Sequence, residues 1–189
     1  VYLHGMVNDA KGQKMSKSKG NVINPLILAE KFGTDALRIG LIAGNTPGTP
    51  LSLSEDKIRG YKNFANKLWN IARFILENTE GVTYDRSFDK YTESDTQLRK
   101  ERHDLTVDIT KDIEEYRFYM SAEKIYHYIW HNLADKILEE SKAILKSDDE
   151  NAKQSRKQFL LHSLREILIM LHPFMPFVTE EIWQTMPAR

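Results

Sequence analysis

Apolar residues recur at helical spacing through most of the chain after residue 54. Ser54 followed by Glu55 is typical of a helix N-terminus. One face of the helix that follows carries Tyr61, Phe64, Ala65, Leu68, Ala72, Ile75 and Leu76. Further helical patterns run over about 93–117, 121–146 and 152–171, with polar connections at 79–92 and 146–151. Ser121 is the predicted N-cap of the third helix. Four long helices predict a bundle, so the fold class is mainly α.

Shorter elements precede the bundle. The apolar, partly β-branched stretch at 1–7 predicts a strand, and residues 8–12 have the composition of a turn. An asparagine followed by a proline predicts a helix over 25–32, which Gly33 is placed to end. A second short helix is predicted at about 34–43.

A glycine- and proline-rich run from Gly44 to Pro50 interrupts regular structure. We predict a domain boundary there, which divides the chain into residues 1–50 and 51–189. Near the other end, two prolines interrupt the last long helix because neither can donate a backbone hydrogen bond. A short helix at 179–185 is predicted to follow them.

Charge and residue usage narrow the class of protein. The 189 residues carry no formal net charge, yet residues 1–73 hold eleven Lys and Arg against five Asp and Glu, a net charge of +6. That part is the better candidate for contact with a polyanion. The absence of cysteine excludes disulfides and thiolate zinc sites. No apolar run approaches the roughly 18 residues of a membrane span. We therefore expect a cytoplasmic protein without membrane contact, and we interpret a start at Val1 within a predicted strand as a segment of a longer protein.

One loop combines residues suited to polyphosphate chemistry. The run Lys14-Met15-Ser16-Lys17-Ser18-Lys19-Gly20-Asn21 holds three lysines, two serines and a glycine. A reaction that expels pyrophosphate develops negative charge on the leaving group, and positioned ammonium groups stabilise that charge. Lysine is a compact charge on a flexible stem, which suits a loop that closes over a nucleotide and reopens. A basic loop of arbitrary sequence would instead be a solvated surface.

The string KMSKS followed by GN resembles the second signature of the class I aminoacyl-tRNA synthetases. The resemblance continues in Gly20-Asn21-Val22-Ile23-Asn24-Pro25 and Phe32-Gly33-Thr34-Asp35-Ala36-Leu37-Arg38, which look like the valyl, isoleucyl and leucyl subgroup. The segments Gly44–Gly48, Asn63–Asn70 and His172–Phe177 are most similar to valyl enzymes. This likeness implies a short strand and the KMSKS loop at the end of a Rossmann-type catalytic domain, followed by a helical-bundle anticodon-binding domain.

The resemblance also implies roles for individual residues. Lys14 and Lys17 would be catalytic, stabilising the transition state of amino-acid adenylation, with Lys17 our first choice. The residues expected to bind ATP are Lys14, Met15, Ser16, Lys17 and Ser18. The parent protein is expected to use ATP and Mg²⁺, with valine and tRNA(Val) as partners, and to be a monomer. This segment is expected to hold no protein-bound metal. It contains no HIGH-type signature, so the isolated segment is expected to be inactive.

A candidate RNA surface lies on the long helix after Ser54, on the side opposite its apolar stripe. An aromatic ring, Phe74, falls there beside amides and cations, a combination that unstacked bases can use. The residues of this predicted tRNA-binding face are Arg59, Lys62, Asn63, Lys67, Asn70, Arg73 and Phe74. The alternative is that Phe74 packs against a neighbouring helix and that the polar residues are only solvated.

Several other residues are predicted to be structural. Trp69, Trp130 and Trp183 lie at the edges of apolar stripes, so we expect core packing and assign them no RNA role. His172 is expected to cap or pack at a helix end. His127 and His131 share an i, i+4 face, but no third ligand is evident, so no metal site is predicted.

Three functional alternatives remain open from the sequence. The segment could come from an isoleucyl or leucyl enzyme, which would be revealed by the amino acid that the parent activates. It could act only as a tRNA-binding module with no activity of its own. It could also be a helical scaffold that contains KMSKS by chance, for which failure to bind any RNA would be the sign.

Overall fold

The computed structural model of the chain describes residues 5–187. The helices are α1 (Pro25–Phe32), α2 (Thr34–Ile42), α3 (Glu55–Asn78), α4 (Glu93–Glu114), α5 (Phe118–His127), α6 (Leu138–Lys146), α7 (Glu150–Leu171) and α8 (Pro176–Thr185). A π-helical segment, Tyr128–Ile137, joins α5 to α6 without a break. Two short strands, β1 (Val7–Asn8) and β2 (Leu51–Ser52), pair in parallel. The mainly α fold class is confirmed.

The small sheet joins residues 7–8 to residues 51–52. Val7 pairs with Leu51, and the backbone N–H of Leu53 donates to the Asn8 carbonyl at 2.9 Å. Residues 1–4 of the predicted strand lie outside the described residues, and the observed strand begins only at Val7. Strand β2 was not predicted, because two residues are too few to show an alternating pattern.

The predicted caps explain where the short helices begin and end. The Asn24 side chain accepts from the Leu26 N–H at 2.9 Å, and Gly33 ends α1 with a φ of 93°. The next helix lies so close to α3 that a Cβ at Gly40 would stand 2.5 Å from the Ile58 side chain. Both predicted short helices are confirmed. The glycine at position 40 allows the α2 backbone to lie close against α3.

The long helices form a bundle around one large core, as predicted. Phe64, Leu68, Ala72 and Ile75 from the predicted stripe of α3 are buried in it. They pack among apolar residues of α5, the π-helical segment, α7 and α8. Among residues 5–187, no helix combines the length and apolar character needed to cross a bilayer.

A second, smaller core lies beneath the N-terminal loops. It is formed by Leu28, Phe32, Ala36, Leu37, Leu53 and Ile58. Ile58 belongs to α3, and Tyr61 one turn later packs against both cores. The first turns of the long helix therefore join the N-terminal part of the chain to the bundle.

The prediction that Ser121 caps a helix is wrong. The helix begins at Phe118, and Ser121 is buried inside it. The chain reverses at Tyr116, whose φ of 61° is rare for an aromatic residue, and Arg117 bonds back to Asp112 through both its backbone and its side chain. Because this reversal takes only three residues, α5 starts earlier than the sequence pattern indicated.

The last helix also starts earlier than predicted, at Pro176. Proline fits the first position of a helix because the N–H it lacks has no partner there. The cap comes from α2, where the buried Asp35 carboxylate accepts from the N–H groups of Phe177 at 3.2 Å and Val178 at 2.7 Å. One turn later, Arg38 donates to the carbonyls of Pro173 at 3.0 Å and Phe174 at 3.4 Å.

Replacing Asp35 with alanine should lower the free energy of unfolding by about 1–2 kcal/mol, the usual effect of losing a helix N-cap. The N–H groups at the start of α8 would lose their acceptor, while the apolar contacts of α2 would stay. A urea titration measures the change. Glu30→Ala, at an exposed position of α1, is the matched control. An equal loss of unfolding free energy in both variants would contradict the role of Asp35.

Candidate functional site

In the KMSKS loop, residues 14–18, one side chain packs inward and others face solvent. Met15 is half-buried and packs against the smaller core. Lys14, Lys17 and Ser18 are exposed. Residues Lys17–Lys19 form one turn of 3-10 helix, which ends at Gly20 with a φ of 65°. The methionine therefore anchors the loop while its cations face solvent.

The loop lysines have no acidic partner in the part of the chain that the structure describes. The ion pairs there involve other residues, and none reaches the ammonium group of Lys14, Lys17 or Lys19. The Ser16 and Ser18 hydroxyls lie 3.1 Å apart in the same loop. Unneutralised ammonium groups beside hydroxyls can bind a polyphosphate anion. Residues 14–19 contain no carboxylate that could bind a cation.

Asp9 and Asn21, to which no role was assigned from the sequence, support the loop. The Asn21 side chain accepts from the Ser16 N–H at 2.9 Å and donates to the Asp9 carboxylate at 2.9 Å. Hydrogen bonds from Asn21 and from the N–H groups of Gln13 and Lys11 hold the pKa of the Asp9 carboxyl below its ordinary value. The sequence did contain a sign of the role of Asp9, since it lies three residues before Gly12 in the predicted turn, and aspartate in a turn commonly bonds to nearby backbone N–H groups.

The predicted tRNA-binding face on α3 divides into two halves. In the first half, Arg59 pairs with Asp56 at 2.5 Å and lies over the Phe32 ring, and Lys62 donates to the Lys31 carbonyl at 3.4 Å. These cations therefore already contact α1 and the first turn of α3.

The second half of this face is more open. The amides of Asn63 and Asn70 are exposed, and Arg73 is exposed with a long 3.9 Å contact to Glu77. Phe74 is partly buried against the main core. Part of its ring therefore packs within the bundle, which is the alternative that the sequence left open.

Lys67 occupies the middle of the face and is the most constrained of its cations. Its ammonium group lies 2.8 Å from the Asp135 carboxylate and 4.4 Å from the centre of the Trp130 ring. This hydrogen bond holds the pKa of the Asp135 carboxyl below its ordinary value, with a further contribution from His131. A phosphate that bound Lys67 would have to compete with Asp135.

The prediction that Trp69 packs in the core is wrong. Its side chain is 42% exposed and lines a cavity of about 210 Å³ together with Arg73, Leu76 and Ile182. The other two tryptophans are partly buried against the main core, as predicted. Trp69 falls at the margin of the stripe, where the spacing of neighbouring helices decides exposure.

Each of the three histidines considered in the sequence contacts a neighbouring side chain. His172 shares a 2.9 Å hydrogen bond with Thr179, across the break before α8. The His127 and His131 rings lie 4.8 Å apart, centre to centre. In residues 5–187, no group of three or more His, Cys, Asp or Glu side chains is placed to hold a metal ion.

Both parts of the chain match known sequence families. Residues 95–189 match the anticodon-binding domain of tRNA ligase, and residues 1–54 match class I tRNA synthetases of the I, L, M and V group. The valine–tRNA ligase of Pelagibacter ubique is 46% identical over 97% of this chain and 21% of that protein. That of Geobacillus stearothermophilus is 42% identical over 99% of this chain and 22% of that protein. The chain thus spans about a fifth of the length of these curated relatives.

Solved structures share the fold. The LeuRS of Agrobacterium radiobacter K84, in a ternary complex with tRNA and LeuAMS, has a TM-score of 0.80 at 24% identity and covers 98% of this chain and 22% of that chain. Methionyl-tRNA synthetase of Mycobacterium tuberculosis in complex with methionyl-adenylate has a TM-score of 0.77 at 24% identity. The match covers 95% of this chain and 36% of that chain. At this identity the likeness concerns the arrangement of the loop region and the bundle.

Proposed function

The chain belongs to the family of anticodon-binding domains of tRNA ligases, joined to a class I tRNA synthetase segment, and we propose that its parent protein ligates valine to tRNA(Val). The observation that carries this proposal is the KMSKS loop, whose exposed lysines have no acidic partner among the described residues. The choice of valine is supported by the names of relatives that are 40–46% identical to nearly the whole chain.

In the proposed reaction, the loop acts on the leaving group of adenylation. A carboxylate oxygen of valine attacks the α-phosphorus of ATP, a new oxygen–phosphorus bond forms, and the bond to the β-phosphate bridging oxygen breaks. Pyrophosphate departs with the electron pair. Lys14 and Lys17 stabilise the charge that grows on it, and Ser16 and Ser18 donate hydroxyl hydrogen bonds. A ribose hydroxyl at the 3′ end of the tRNA then attacks the valyl carbonyl carbon, an ester bond forms, and AMP leaves with the electrons of the broken anhydride bond.

Magnesium enters this proposal with the phosphates of ATP. The loop offers ammonium and hydroxyl groups, which suit the anionic phosphates, and oxygen ligands for Mg²⁺ are available on the nucleotide itself. A bound Mg²⁺ would supply further neutralisation of the phosphate charge.

The bundle is proposed to bind the anticodon end of the tRNA through the predicted face of α3. The exposed amides of Asn63 and Asn70 could read base edges, and Arg73 could bind a phosphate. Trp69 adds an exposed ring beside Arg73, so we now include it in the proposed face. We keep residues 1–50 and 51–189 as the proposed division of labour between ATP chemistry and tRNA binding.

Two measurements on the parent and the chain test this function. The parent should catalyse ATP–pyrophosphate exchange that depends on valine; dependence on isoleucine or leucine would reassign the substrate. The chain should bind tRNA(Val) transcripts more tightly than transcripts with altered anticodons, with an affinity that falls as salt rises. Turnover by the chain alone would contradict its assignment as a binding segment.

Phe74→Leu tests the aromatic part of the face, because leucine keeps most of the core packing and removes the stacking ring. We expect affinity for tRNA(Val) to fall by about tenfold, in line with roughly 1–3 kcal/mol for base stacking on a ring. Phe177→Leu on α8 is the matched control, since that ring is 64% exposed and lies off the face. Equal affinity of the two variants would leave Phe74 as a packing residue only.

A further inference from the structure

We infer that Asp9 and Asn21 are positioning residues that hold the KMSKS loop in the form that presents Lys14 and Lys17 to the pyrophosphate leaving group. This inference rests on the proposed function. Neither side chain would touch ATP; both act through the backbone of the loop.

Asn21 ties together the backbone on both sides of Met15. Its Oδ1 accepts from the Ser16 N–H at 2.9 Å, and its Nδ2 donates to the Lys14 carbonyl at 3.3 Å. The same Nδ2 donates to Oδ2 of Asp9 at 2.9 Å. One amide group therefore uses both its donor and its acceptor ends to set the path of three consecutive loop residues.

Asp9 ties the preceding turn to this amide. Its Oδ1 accepts from the N–H groups of Lys11 at 2.9 Å and Gln13 at 2.8 Å, while Oδ2 faces Asn21. Asp9 directly follows β1, whose residue Asn8 is paired with β2 and bridged to Lys14. The carboxylate thus connects the small sheet, the turn and the far end of the loop.

These contacts concern the position of charges more than the stability of the fold. Among residues 5–187, no ion pair holds the Lys14 or Lys17 ammonium group, so the course of the backbone decides where these two side chains begin and which region their charges can reach. Misplacing a reacting or stabilising group by about 1 Å can cost about 100-fold in rate. The loop contributes little apolar burial beyond Met15, so disturbing it should leave the cores intact.

The test exchanges the two side chains in the parent protein. Asp9→Asn would leave an NH₂ donor facing either the Asn21 Nδ2 or the N–H groups of Lys11 and Gln13, because all three groups are donors. Asn21→Asp would place two carboxylates at the same 2.9 Å contact. In the double variant, the amide at position 9 can donate to the carboxylate at position 21, which still accepts from the Ser16 N–H. The bond to the Lys14 carbonyl is the one contact that the exchange does not restore.

Each single variant should lower kcat for valine-dependent exchange by about 10- to 100-fold. The KM for valine, the affinity for tRNA and the unfolding temperature should not change. The double variant should recover at least about tenfold over the poorer single variant. Val22→Ala, at a neighbouring side chain that is 51% exposed and outside this network, is the matched control and should behave as wild type.

A double variant no faster than the product of the two single effects would overturn the inference. So would a parallel loss of tRNA affinity or unfolding temperature, because that would indicate a general structural role. The wild-type parent is assayed first with valine, isoleucine and leucine. Exchange with another amino acid changes the proposed substrate, and the variants are then compared with that amino acid.

Trypsin cleavage of the parent after Lys14 and Lys17 provides a readout that needs no activity. A loop freed from the Asp9 and Asn21 contacts should be cut several times faster in each single variant and more slowly again in the double variant. If the wild type exchanges with no amino acid, the proposed function fails, and this cleavage pattern still decides whether the pair holds the loop. Equal cleavage rates in all variants would contradict the inference.

Discussion

Replacing Lys17 with alanine in the parent protein is expected to lower kcat for valine-dependent ATP–pyrophosphate exchange by about 100- to 1,000-fold, the range for losing one group that stabilises transition-state charge. The KM for valine should change little, because the loop acts on the phosphate side of the reaction. Affinity for tRNA(Val) should also be unchanged, since Lys17 lies off the bundle. Steady-state exchange assays measure the first two quantities and filter binding the third.

Lys90→Ala is the charge-matched control for this experiment. Lys90 is an exposed lysine in the connection between α3 and α4, and its loss changes the net charge by the same amount. The control should retain wild-type exchange. If Lys17→Ala raised only the KM for ATP and left kcat unchanged, Lys17 would contribute to ground-state binding of ATP and not to stabilisation of the leaving group.

The largest expected effect on stability comes from Asp95→Ala, which should lower the free energy of unfolding by about 3–5 kcal/mol. Asp95 on α4 lies 2.6 Å from the Arg156 guanidinium on α7, and each side chain is only 1% exposed. Asp95 also accepts from Ser155, and Arg156 donates to Ser141 on α6. Removing the carboxylate would leave a buried cation without its counter-charge.

A urea titration followed by circular dichroism measures this loss. Glu139→Ala, which removes an exposed ion pair with Lys142, is the matched control and should cost no more than about 1 kcal/mol. Asp95→Asn should fall between the two, since it keeps a hydrogen-bond acceptor and loses the charge. Equal costs for Asp95→Ala and Glu139→Ala would show that the buried pair contributes no more than a surface pair.

The region proposed to bind ATP and the region proposed to bind tRNA are in direct contact. The first turns of α3 belong to the smaller core, and the same helix presents the proposed tRNA-binding face. Asp35 and Arg38 on α2 bond to the segment that ends α7 and begins α8. The loop that we propose to bind phosphate is therefore built on elements that are packed against the bundle.

Local rules were sufficient for the elements that the sequence predicted well. The asparagine, proline and glycine that bound α1 act within a few residues of each other, so their effect can be read without the fold. The apolar stripe of α3 repeats from Tyr61 to Leu76, over more than four helical turns, which makes its period unambiguous. The KMSKS string is contiguous, so its cations were identified directly, although their roles stay a prediction.

The tertiary structure decided what depends on residues far apart in the chain. Asp35 caps α8, which begins 141 residues later at Pro176, and no local pattern connects the two residues. The margins of a helical stripe are equally ambiguous, so Trp69 lies exposed while Phe74 is partly buried. By itself the sequence determined the mainly α bundle, most of its helices and the cations that the loop carries, because these follow from the order and spacing of residues along the chain. The caps between elements, the exposure of marginal aromatic rings and the link from Asp9 to Asn21 required the fold, because hydrogen bonds and packing between distant segments exist only once those segments meet.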